Sequence, residues 1–200
     1  MSEHAVDLVL HAPVSATDGP VGRVEHVILD PEHGRATHVV VRETELPNTQ
    51  RLVAEKHIAK AGPDGVTLAI TRKHFETLKE YIQTEYFSPS YFVGLASQEH
   101  LKLPMAPSGW TVERPATPEG AVALVGHETV LATDGKVGRV DGVLADRASG
   151  RVTHLVLREG HLFGHREVQV PAAMVDRYAD ATVYLNVAKA AVAALPDVHA

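Results

Sequence analysis

Residues 5–43, AVDLVLHAPVSATDGPVGRVEHVILDPEHGRATHVVVRE, return without a gap as residues 121–159, AVALVGHETVLATDGKVGRVDGVLADRASGRVTHLVLRE. Of the 39 aligned positions 23 are identical, where ordinary composition gives about two or three by chance. The chain is a duplication, and its architecture is that of one unit used twice. Past residue 43 the copies stay alignable with small register shifts: Val53, Ile58, Val66, Leu68 and Phe75 answer to Val170, Val175, Val183, Leu185 and Val192. Each unit is about 75 to 80 residues, and a unit of that size buries only about 60 per cent of its unfolded surface. It is marginal alone and gains from packing on its twin or on another chain.

Within a unit the apolar period is two, as in Val6, Leu8, Leu10 and in Val39, Val41, which predicts short strands. Asp18-Gly19 and Asp134-Gly135 supply a pair that tolerates positive φ in a tight turn, and Gly22 and Gly138 mark a bulge or a close backbone approach. Asp30 to Gly34 and Asp146 to Gly150 read as hairpin loops ending in a left-handed glycine, so the strands on either side must pair. Strands follow near Arg51 to Ala54 and Val66 to Thr71, and near Glu167 to Val170 and Thr182 to Val187 in the second copy. Each unit then ends in a helical segment: Arg72 to Glu85, with Phe75, Leu78 and Ile82 at helical spacing, and Ala188 to Leu195, stopping before Pro196. Strands this short are expected to curl into a small barrel that leaves no edge open. The expected fold is mainly β: two tandem small β-barrels, each followed by a short helix.

The motifs DG-x-VGRV, D-x-x-x-G-R, T-H-V-V-V-R or T-H-L-V-L-R, and in the second unit G-H-L-F-G-H-R-E-V-Q-V-P resemble the PRC-barrel domain. That domain is shared by the cytoplasmic part of the photosynthetic reaction-centre H subunit and the C-terminal half of the RimM-type ribosome-maturation factor. The resemblance covers both units, 1–83 and 120–196, and leaves 84–119 as an aromatic- and Pro-containing connector. It implies a docking or assembly role, because members of the family serve mostly as such modules. The H subunit's membrane helix and the maturation factor's N-terminal RNA-associated domain have no counterpart in these 200 residues. The first unit also departs from the pattern, with Asn48-Thr49-Gln50-Arg51-Leu52-Val53-Ala54 where the F-G-x-x-E-V-x-V-P stretch belongs.

Composition narrows the function classes. With 19 Lys and Arg against 25 Asp and Glu, the net charge is -6, which argues against nucleic acid as a partner. Arg35, Arg42 and Arg51 could at most share a modest patch on one side of the first unit. Cysteine is absent, which excludes disulfides, thiolate metal sites and cysteine nucleophiles and suits a reducing compartment. The opening residues lack a basic and then apolar leader, and no run of about 18 apolar residues occurs, so a cytoplasmic chain without a membrane span is expected.

Thirteen histidines invite a metal or proton-transfer reading. However, His11 and His38 recur as His127 and His154, which places them in the shared strand framework. His161 and His165 flank a predicted hairpin without further ligands nearby, and no H-E-x-x-H is present. Asp30, Glu32, Asp141 and Asp146 lack the oxygen array of a calcium loop and are better explained by turn chemistry. The phosphate-binding and nucleophile motifs are missing as well. The chain is thus read as no enzyme, with no cofactor and no metal site.

The stretch outside the repeat carries the functional expectation. Tyr81, Tyr86, Phe87, Tyr91 and Phe92 fall within twelve residues, and Trp110 lies further on, before and among prolines 104, 107, 115 and 118 that suggest an extended linker rather than more strands. Aromatics this dense either fill a seam between the barrels or anchor a partner. Tyr86, Phe87, Tyr91, Phe92 and Trp110 are the candidate interaction residues of a scaffold that binds a protein partner or a second copy of itself, most simply as a homo-oligomer. Ribosome or RNA association and a histidine-based metal function are the alternatives.

Overall fold

The computed structural model describes residues 5–62, 64–87, 110–146, 149–161 and 164–197. The first repeat supplies β1 (Ala5–Val9), β2 (Pro13–Ala16), β3 (Gly19–Asp30), β4 (Arg35–Glu43), β5 (Gln50–Ala54), β6 (Ile58–Gly62), β7 (Gly65–Leu68) and the short helix α1 (Arg72–Glu76). A two-stranded ribbon follows, β8 (Ile82–Phe87) and β9 (Trp110–Pro115). The second repeat supplies β10 (Val122–Leu124), β11 (Thr129–Ala132), β12 (Gly135–Asp146), β13 (Val152–His161), β14 (Gly164–Pro171), β15 (Val175–Ala179), β16 (Thr182–Leu185) and α2 (Lys189–Ala193).

The strands flanking each Asp-to-Gly loop do pair: β3 with β4 and β12 with β13, antiparallel. Asp30 accepts the amides of Glu32 and His33 at 3.0 and 3.1 Å, and Asp146 accepts the amide and hydroxyl of Ser149 at 2.9 and 2.7 Å. Gly34 and Gly150 close the loops at φ 60° and 65°, a region only glycine enters without cost. Gly22 marks a close approach: a Cβ there would run into the Arg42 carbonyl, and at Gly138 it would lie 2.5 Å from the Arg158 carbonyl. The Asp of each Asp-Gly turn has a longer reach than its own turn. Asp18 accepts the Arg72 amide and Asp134 the Lys189 amide, both at 2.8 Å, so each turn also fixes the start of its repeat's helix.

The sheets run in the order β5-β4-β3-β2-β7-β6 and β14-β13-β12-β11-β16-β15, with β2 to β7 and β11 to β16 parallel. Neither closes into a barrel, which corrects that part of the expectation. The chain passes from β5 to β6 and from β14 to β15 through single 3-10 turns, Glu55–His57 and Ala172–Met174. Backbone groups there bond within the turn and to the residues beyond β7 and β16 (Ala69 amide to His57 oxygen, 2.8 Å; Asn186 amide to Met174 oxygen, 2.9 Å). A ladder joining the two end strands does not form among the described residues.

The seventh strand of each sheet comes from the other repeat. β1 pairs with β12, from Ala5 opposite Asp146 to Val9 opposite Gly142, and β10 pairs with β3, from Val122 opposite Leu29 to Leu124 opposite Val27. Between the sheets Arg35 and its repeat equivalent Arg151 form an antiparallel rung. Around it the Ala36 amide donates to Gly150 and the Val152 amide to Gly34, at 3.0 and 2.8 Å. These contacts exchange when the repeats are interchanged, as in a twofold-symmetric dimer joined into one chain. The apolar interior is correspondingly continuous, with Leu8, Val27, Leu124, Val143 and Leu155 in one buried cluster.

The helical expectation for Arg72 to Glu85 fails beyond Glu76. Phe75 is buried, but the Thr77 hydroxyl donates to the His74 carbonyl at 2.6 Å and the turn ends. Lys79 to Tyr81 is then captured by the edge of β5: the Leu52 amide donates to Lys79 at 2.9 Å and the Tyr81 amide to Gln50 at 2.7 Å. Sheet pairing outweighs the helical spacing of Phe75, Leu78 and Ile82. The connector 84–119 is likewise more than a linker, since Ile82–Phe87 and Trp110–Pro115 are strands. Among the described residues no helix is long and apolar enough to cross a membrane.

Candidate functional site

Tyr81 roots the ribbon. Its side chain is 4 % exposed and packs with Ile28 and Val40 on the outer face of the first sheet, flanked by Leu52, Ile82, Ala121 and Ala123. Its hydroxyl lies 2.9 Å from that of Thr117, and its carbonyl accepts the Ala116 amide at 2.6 Å. From this base β8 and β9 run antiparallel, with Gln83 opposite Arg114, Tyr86 opposite Thr111 and Phe87 opposite Trp110. The sequence-predicted interaction residues therefore divide. The register brings Tyr86, Phe87 and Trp110 together at the end of the ribbon away from Tyr81, while Tyr91 and Phe92 lie outside the described residues. Among the described residues neither ribbon strand joins a third strand.

Beneath Tyr81 lies His26, whose ring centroid is 5.5 Å from the tyrosine's at 58°. Its Nδ1 is buried and unpaired, as is Oε1 of Gln50. Burial pushes the His26 pKa below the ordinary histidine value, against the pull of the adjacent Glu25 carboxylate. Glu25 itself is held below the usual carboxylate range by its hydrogen bonds from Arg42, at 2.9 and 2.7 Å. His26 answers to Gly142 in the other repeat, where a Cβ would lie 2.8 Å from the Leu8 carbonyl. The His26–Tyr81 contact is thus particular to the first repeat. The pattern of apolar residues does not single out His26, because it follows a bulge between Val24 and His26 that breaks the alternation.

The other titratable candidates take structural places. The Nδ1 atoms of His38 and His154 each lie 3.1 Å from the preceding threonine hydroxyl, and burial lowers both pKa values. His161 and His165 sit on adjacent rungs, opposite Gly164 and Gly160. Among the described residues no group of three or more His, Asp or Glu could hold a metal. Arg35, Arg42 and Arg51 do not form a cationic patch, because each meets a carboxylate: Glu55 at 3.7 Å, Glu25 at 2.7 Å and Glu43 at 2.6 Å. Asp141 pairs with Arg158 at 3.0 Å.

Glu128 is a residue the sequence did not mark. It is 3 % exposed, and its carboxylate accepts the Val125 and Gly126 amides at 2.6 and 3.0 Å. It holds the turn that delivers β10 to the first sheet, and its equivalent in the first repeat is Ala12. No protein-family model matches the chain, and neither does any curated protein.

Proposed function

We propose that the chain is a non-enzymatic interaction module, a duplicated PRC-barrel-like scaffold with open sheets whose β8–β9 ribbon docks on a protein partner or on a second copy. One observation carries this reading: among the described residues β8 and β9 form a two-stranded sheet of their own, with Phe87 opposite Trp110 at its outer end. A two-stranded ribbon is marginal in water, and its outer edges are templates for another strand. Aromatic residues at such an end add the large contact area that interface anchors provide.

The test is light scattering on the full chain, with retention of partners from native extract, for the wild type and for Phe87→Ala combined with Trp110→Ala. The expected result is loss of self-association or of one discrete partner, with the melting temperature and far-ultraviolet spectrum kept. A double variant that associates like the wild type would overturn the reading.

A further inference from the structure

The strand exchange leaves a cleft on either side of the Arg35–Arg151 rung. The first, of about 320 Å³, has Leu8, Ala36, Ile58 and Ala145 among its walls and is also lined by Lys56 and Lys60. Its carboxylates are already engaged: Glu55 with Arg35 at 3.7 Å, and Asp146 with the amide and hydroxyl of Ser149. The two lysines are exposed, and neither meets a carboxylate among the described residues. Among the described residues the cleft therefore presents an apolar wall beside two ammonium groups without a carboxylate partner.

The duplication supplies an internal comparison. The second cleft, of about 350 Å³, occupies the equivalent place, with Leu29, Val152 and Val175 answering to Ala145, Ala36 and Ile58. There Ala172 and Ala173 stand where the first cleft has Glu55 and Lys56. Arg177, in place of Lys60, is spent internally: it meets Asp176 at 3.0 Å and lies 4.0 Å from the Tyr184 ring centroid. The repeats keep the walls and differ in whether a cation is left without a carboxylate partner among the described residues.

We propose that the first cleft binds a small organic anion, its apolar body against Leu8 and Ile58 and its carboxylate or phosphate head held by Lys56 and Lys60. The volume lies at the lower end of small-molecule pockets, about 300–1,000 Å³.

Titration calorimetry and amide-shift mapping on the full chain test this with octanoate, octyl phosphate, octanol and inorganic phosphate as probes. One saturable site per chain is expected for octanoate or octyl phosphate, the tighter of the two identifying the head group. Shifts should centre on Leu8, Lys56 and Ile58, and octanol and inorganic phosphate should each bind at least about tenfold more weakly. Lys56→Glu with Lys60→Glu should weaken binding by about tenfold and leave the melting temperature unchanged, since both side chains are exposed. Lys56→Ala with Lys60→Ala serves the same comparison if the reversal perturbs folding. The proposal is overturned by an absence of saturable binding, by shifts centred on the Ala172 cleft, or by an affinity indifferent to both lysine pairs.

Discussion

His26, His38 and His154 share one physical condition: burial holds all three pKa values below the ordinary 6.5. In the unfolded chain they take up protons near that ordinary value, whereas the folded chain resists protonation. Their contribution is complete above about 6.5 and is lost as pH falls below it, because the unfolded state then binds more protons. Urea midpoints should therefore fall between pH 7.5 and pH 5. His26→Leu should remove part of that fall, since it takes away the buried, unpaired Nδ1, and should change stability at pH 7.5 by no more than about 1 kcal/mol. Equal wild-type midpoints at the two pH values would contradict the argument. At this scale the sequence was legible where chemistry is local. Asp30 and Asp146 cap their turns as their loop positions suggest, and Gly22 and Gly138 meet a neighbouring carbonyl. His26 was not legible, because what sets it apart is a contact made by a distant segment, Tyr81; Glu128 was missed although its bonds to the Val125 and Gly126 amides are local.

Among the elements, the hairpin joining β15 to β16 carries a local conflict. Asp180 and Ala181 both adopt positive φ, 49° and 53°, as the two-residue turn of a right-twisted hairpin requires, yet Ala181 bears a Cβ that disfavours that region. Ala181→Gly should raise stability by about 1 kcal/mol, read as a higher melting temperature; a fall would mean that the unfolded chain's added freedom outweighs the relieved strain. The β3–β4 and β12–β13 pairs could be read from their loops and their alternation. The ribbon could not. Ile82-Gln83-Thr84-Glu85-Tyr86-Phe87 is compatible with either period, and only capture of Lys79 to Tyr81 by the edge of β5 sends it along the strand path. The barrel expectation errs for a related reason: short strands call for covered edges, and here the residues after each helix cover part of one edge of each sheet. Glu80 bridges to Arg51 and Asp197 to Val168, so the outer edges of β5 and β14 are partly protected without closure.

For the whole molecule the duplication is plain in the sequence, but the exchange of first strands is not. The alternation in Val6, Leu8 and Leu10 says that one face is buried and is silent on whether β3 or β12 receives it. Because β1 belongs to the second sheet, removing residues 1–10 should damage the repeat that lies far from the deletion. Amide exchange should quicken in β12 and β13 more than in β4 and β5, and a loss confined to the first repeat would contradict the pairing. The same exchange orders events during synthesis. The part of β3 that receives Val122–Leu124 is made long before them, and at about 5–20 residues per second its outer edge waits roughly 5 to 20 s for its partner. Over that interval a nascent first repeat displays an open strand edge to neighbouring nascent chains. Yield in the cell should therefore depend on how fast the ribosome crosses the intervening segment, and slow codons between the repeats would lengthen the exposure.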